Sequence, residues 1–140
     1  MSNISPLAYI EPGAKIGEGV KIGPFSCIYN DTVIGEGTII ENNVTIFPGA
    51  RIGKNCHIFP GACIATTPQD LKFKGEYTTV EIGDNTQLHE CVTIHRATAS
   101  KQVTKVGSNC MIMAYCHVAH DCNVGDGVIM SNSVQMAGEV

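Results

Sequence analysis

Isoleucine recurs at every sixth residue: Ile4, Ile10, Ile16, Ile22, Ile28, Ile34, Ile40, Ile46, Ile52, Ile58 and Ile64 form an unbroken series. Ile82, Leu88 and Ile94, and then Val106, Ile112, Val118, Val124, Met130 and Met136, resume it in the same phase. Of the 23 positions in this phase, 20 carry Ile, Leu, Val or Met, so the chain is built on a repeat. A period of six matches neither the 3.6 of a helix nor one long strand. It does preserve the two-residue alternation of a strand, and therefore predicts short strands separated by turns.

The other positions of the hexad agree. Four residues after each aliphatic stands a small or β-branched side chain, as in Ala14, Val20, Ser26, Thr32, Thr38, Val44, Ala50, Cys56, Ala62, Cys110, Cys116 and Cys122. The even offset allows both to face inward. Glycine follows the aliphatic directly at Gly17, Gly23, Gly35, Gly53, Gly83, Gly107 and Gly125, and Gly or Asn follows three residues after it at Gly13, Gly19, Gly37, Asn43, Gly49, Asn55, Gly61, Asn85, Asn109 and Gly127. Both sets are expected to be corners in left-handed backbone. Three hexads then make an 18-residue turn of a triangular prism, an all-β parallel β-helix. A core of stacked aliphatics suits a chain with 6% aromatic residues and no Trp. Two stretches break the rhythm, 65–81 and 97–105, and are expected to leave the prism as loops able to carry function.

The net charge of −4 and pI of 5.6 argue against a nucleic-acid surface or a polybasic membrane anchor. The expected ligand is small, or is delivered by another protein. The opening MSNISPLAYI has neither a basic nor an apolar leader segment, and no apolar run approaches the ~20 residues of a membrane span. The chain reads as cytoplasmic. Seven cysteines without a Cys-x-x-Cys pair read as reduced thiols rather than a disulfide framework. The sequence stops at Val140 inside a hexad, which we read as one β-helix domain, 1–140, of a longer chain.

Three motifs lie between the hexads: QDLKFKGE (69–76), VTIHRAT (92–98) and HVAHDCNVGD (117–126). In them the chain resembles the acyl carrier protein:UDP-N-acetylglucosamine O-acyltransferases, which open lipid A synthesis. The resemblance implies a left-handed coil, a homotrimer with active sites between neighbouring prisms, and a helical C-terminal domain beyond residue 140. It further implies transfer of an (R)-3-hydroxyacyl group from acyl carrier protein to the glucosamine 3-hydroxyl of UDP-N-acetylglucosamine, without a cofactor or metal. Residues 1–140 alone are then expected to be weakly active or inactive.

Acyl transfer to a hydroxyl needs a base, and the ordinary histidine pKa of ~6.5 suits that task. His120, near a corner and facing outward, is the base that the resemblance implies, with Asp121 orienting its imidazole. His117, on the outer face, is implied to line the substrate cleft. His95, where glycine usually stands, is implied to bind the nucleotide sugar. Asp70 would accept hydrogen bonds from the sugar hydroxyls, with Gln69 and Lys72 serving nearby polar groups. Gly138 would offer its backbone N–H to the oxyanion. Glu139 stands where relatives carry histidine, and no role is assigned to it. Arg96, Lys101 and Lys105, with no acid between 97 and 105, are expected to form a modest docking patch for an acidic carrier protein.

Other readings remain. Cys116, His117, His120 and Cys122 suggest a zinc site, but the cysteines fall in the inward phase and the histidines in the outward one, so four ligands do not converge. A prism protein can also place zinc between subunits to hydrate carbon dioxide, transfer acyl groups from acetyl-coenzyme A, or serve only as a scaffold.

Overall fold

The computed structural model describes residues 3–140. Among them nineteen short strands form three parallel sheets of seven, six and six strands. Each strand pairs with the one a full turn away: Ile4 with Ile22, Ile10 with Ile28, Ile16 with Ile34. That register is the 18-residue coil of a triangular, left-handed parallel β-helix. Backbone bonds run along the axis, such as Tyr9 N–H to the Ser26 carbonyl at 2.9 Å.

Stacking identical side chains in register produces the core. Ile28, Ile46, Ile58, Ile64, Leu88, Ile94 and Ile112 are wholly buried, each contributing roughly 1.5–3 kcal/mol. Burial weakens toward the first described coil, where Ile4 is 38% exposed because a coil covers it on one side only. The polar members of the small inward position are satisfied by the next coil. The Ser26, Thr38 and Thr86 hydroxyls donate to the Glu41, Gly53 and Gly107 carbonyls at 2.6–2.8 Å. Cys56, Cys110, Cys116 and Cys122 make the equivalent thiol contacts, at 2.9–3.1 Å. These thiols act as small interior donors.

The two glycine sets differ in purpose, which corrects the expectation that both adopt left-handed backbone. Three residues past the aliphatic, φ is indeed positive, at Gly19, Gly37, Asn43 and Asn55, and also at Phe25, Cys91, Tyr115 and Asp121, which composition did not flag. Glycines directly after the aliphatic do not share this conformation. They are small because successive coils touch there: a Cβ on Gly35 would lie 2.5 Å from the Gly53 backbone.

Both loops are shorter than expected. Strands Cys63–Thr66 and Thr79–Ile82 leave 67–78 outside the sheets, and strands Thr93–His95 and Val103–Val106 leave 96–102. Val80 and Thr104, inside the interrupted stretches, are fully buried in the small inward position and pair with each other, Val80 also pairing with Ala50. The sheets begin three residues before the hexad resumes, at Thr79 ahead of Ile82 and at Val103 ahead of Val106.

Candidate functional site

Both loops leave the same edge, where the chain passes from the second to the third face. His120 and Asp121 occupy that edge on the next coil, and Gly138 and Glu139 on the one after. One register therefore gathers segments dozens of residues apart. His120 faces out of the prism, as expected, yet is covered, its side chain only 14% exposed.

His120 lies between two carboxylates. Its Nδ1 is 2.9 Å from Asp121 Oδ2 and its Nε2 is 3.7 Å from Asp70 Oδ2. Asp121 is fully buried in left-handed backbone, φ 62°. It accepts hydrogen bonds from the Thr98 hydroxyl at 2.5 Å and from the Thr98 and Lys101 amides at 3.1 Å. Burial alone would raise its pKa, but these donors and His120 outweigh burial and hold the carboxyl below its ordinary value. The Asp121 carboxylate thus fixes one imidazole nitrogen and leaves Nε2 directed at Asp70.

Gly138 supports the ring from the other side. A Cβ there would sit 2.4 Å from His120 Nε2 and Cε1, so only glycine leaves the ring in place. Among the described residues, the Gly138 N–H finds no hydrogen-bond acceptor.

His95 and His117 form an edge-to-face pair, centroids 4.5 Å apart. His117 Nδ1 contacts the Thr93 hydroxyl at 2.7 Å. His95 is 7% exposed, and its Nδ1 has no partner among the described residues. Burial, then His117 and His120, push its pKa down to about 4, and burial, then His120, lowers that of His117. Both are neutral near pH 7 and offer hydrogen bonds rather than charge.

Beside His120 a cleft of about 200 Å³ opens between Asp70, Lys72 and Glu76 of the first loop, Thr98 to Ser100 of the second, and Glu139. Ser100 Oγ donates to Glu139 at 2.8 Å and the Ala99 amide to Glu76 at 3.2 Å. Sequence reasoning missed Glu76, Thr98 and Ser100, and gave Glu139 no part, because a loop tip has no periodicity from which to read a neighbour. Gly138 carried a signal: it stands one coil, 18 residues, past His120. Gln69 is exposed, outside the cleft lining. A larger hollow, about 460 Å³ against Lys21, Ile39 and Glu41, lies on the first face, away from His95, His117 and His120.

Two other expectations change. Arg96 is half-buried, its guanidinium 5.5 Å from the Phe73 ring centroid, so only Lys101 and Lys105 stand exposed. The second loop has no acid of its own, but its Ala99 amide and Ser100 hydroxyl donate to Glu76 and Glu139, which brings negative charge against it. Cys116 and Cys122 point inside the prism, whereas His117 and His120 lie on its outer side. Among the described residues no helix is long and apolar enough to cross a membrane.

Residues 13–48 and 104–138, together half of the chain, match the model of the bacterial transferase hexapeptide (six repeats). An acyl-[acyl-carrier-protein]--UDP-N-acetylglucosamine O-acyltransferase from Thermodesulfovibrio yellowstonii is 47% identical over all of this chain and 55% of its own length. One of the same name from Bartonella henselae is 43% identical over 91% of this chain and 47% of its own. The crystal structure of a UDP-N-acetylglucosamine acyltransferase from Bacteroides fragilis superposes with a TM-score of 0.96 at 56% identity, over 96% of this chain and 53% of that one. The chain spans about half the length of the relatives it matches.

Proposed function

The chain belongs to the bacterial transferase hexapeptide family, and from that premise we propose that it forms the base-bearing part of an acyl-[acyl-carrier-protein]:UDP-N-acetylglucosamine O-acyltransferase. The observation that carries the proposal is the Asp70–His120–Asp121 chain, whose Asp70 lines a cleft between the two loops, in a sequence similar throughout to enzymes of that name. The reaction moves an (R)-3-hydroxyacyl group to the glucosamine 3-hydroxyl, the first step of lipid A biosynthesis.

In this reading His120 Nε2 takes the proton of the sugar hydroxyl as its oxygen attacks the thioester carbonyl. Asp121 holds Nδ1–H, fixes the tautomer and stabilises the imidazolium. The tetrahedral oxyanion receives the free Gly138 N–H. Collapse breaks the C–S bond, and the imidazolium returns the proton to the departing thiolate. Asp70 accepts from sugar hydroxyls beside Nε2, Lys72 and Gln69 meet polar groups at the rim, and neutral His95 and His117 hydrogen-bond the nucleotide sugar. The acyl donor is acyl carrier protein, docked with help from Lys101 and Lys105, and the working form is a cytoplasmic homotrimer whose clefts lie between prisms.

The test is His120→Ala in the full-length protein, assayed with UDP-N-acetylglucosamine and 3-hydroxyacyl carrier protein. A general base contributes about 10²–10⁴-fold, so kcat/KM should fall about a thousandfold with the thermal midpoint unchanged. Retained turnover would remove the base assignment.

A further inference from the structure

The first loop places Asp70 against His120, yet most of its tip is in water: Leu71, Lys72, Lys74 and Gly75 are exposed. Two backbone bonds orient the carboxylate within the tip. The Phe73 amide donates to the Asp70 carbonyl at 3.0 Å and the Lys72 amide to Asp70 Oδ1 at 3.0 Å. These close a turn but do not say where the turn sits.

Two side chains reach back from the tip: Glu76, which accepts from the Ala99 amide at 3.2 Å, and Phe73, nearer to Asp70 in the chain. Its ring lies under the Arg96 guanidinium, at 5.5 Å, within the range of a cation–π contact. Arg96 is itself fixed at the base of the second loop. Its amide donates to the Thr66 carbonyl at 2.8 Å, and its stem crosses Gly49, where a Cβ would lie 3.2 Å from Arg96 Cδ. The far arm of the loop is held separately, by the Arg51 guanidinium donating to the Tyr77 hydroxyl oxygen at 2.9 Å and by the Thr78 hydroxyl donating to the Ala97 carbonyl at 2.6 Å.

We propose that Phe73 and Arg96 form a latch that sets the height of the Asp70 turn over the His120 ring, making both positioning residues for the acyl transfer. The inference rests on the reading above, in which Asp70 and His120 meet the acceptor sugar. A carboxylate on an exposed turn displaced by about 1 Å from a reacting centre can cost on the order of a hundredfold. A latch made of a planar cation on a ring is sensitive to the type of cation, because lysine does not stack as arginine does.

The experiment is a double-mutant cycle in the full-length protein, with Phe73→Leu, Arg96→Met, Asp70→Ala and each pair with Asp70→Ala. Phe73→Leu keeps apolar volume and removes the aromatic face. Each latch variant should lower kcat/KM for the nucleotide sugar about 10- to 100-fold at an unchanged thermal midpoint, and add nothing once Asp70 is alanine. Phe73→Trp should retain activity and Arg96→Lys should recover part of it. Full multiplication of the losses on the Asp70→Ala background, or latch variants within twofold of the parent, overturns the latch. His120→Ala is the control that separates the two ideas: if it stays active, the underlying reading fails, whereas its loss alongside an active Phe73→Leu sinks the latch alone.

Discussion

Two edges of the same prism carry the same hexad and do opposite things. Where the third face turns into the first, Gly17, Gly35, Gly53, Gly83 and Gly107 stack in successive coils, most so close to the next backbone that a methyl group would overlap it. Where the second face turns into the third, the corner admits a twelve-residue loop (67–78), a seven-residue loop (96–102) and the pair His120–Asp121. One edge is sealed by backbone contact and the other is free to hold chemistry. A repeat scaffold separates stability from function by edge, since each corner contacts only its counterparts one coil away.

The contrast is sharpest at single glycines. Gly35→Ala should strike the sealed edge, costing about 3 kcal/mol of stability through overpacking. Chemical denaturation would show it, and the catalytic rate of the folded fraction should be unchanged. A smaller free-energy effect of another kind is expected from Gly138→Ala at the open edge. Its methyl would displace the His120 ring and lower kcat by about a hundredfold with little change in the denaturation midpoint. If both variants lost stability alone, the division between edges would not hold.

The mildest effect concerns His95. Its folded pKa of about 4 lies below the unfolded value of ~6.5, so the unfolded chain binds the extra proton between those values. Stability should therefore fall as pH drops from 6.5 toward 4, by about 2 kcal/mol at pH 5 relative to pH 7. His95→Gln should flatten that part of the curve, and an unchanged pH profile in the variant would count against a buried neutral imidazole.

The open edge was only partly legible. His120, Asp121 and Gly138 belong to the repeat, and the 18-residue spacing places 138 above 120. Asp70 and Thr98 belong to loops whose insertion keeps the six-residue phase but breaks the 18-residue count, as in the pairs Ile52–Ile82 and Ile82–Val106, so spacing does not tell what they meet. Arg96 was misread for the same reason: its charge is visible in sequence, but the ring it covers is 23 residues earlier, on the other loop.

The sequence by itself determined the coil. Aliphatics six apart can be buried together only if the chain turns at each hexad, and parallel in-register stacking then follows from the identity of the repeats. Tertiary structure decided which distant groups meet: Asp70 and Asp121 on either side of one imidazole, and the donors from the second loop that hold the buried Asp121 carboxyl below its ordinary pKa. Those contacts lie between loops of irregular length, where position is set by packing against neighbouring coils and no local pattern of residues encodes it.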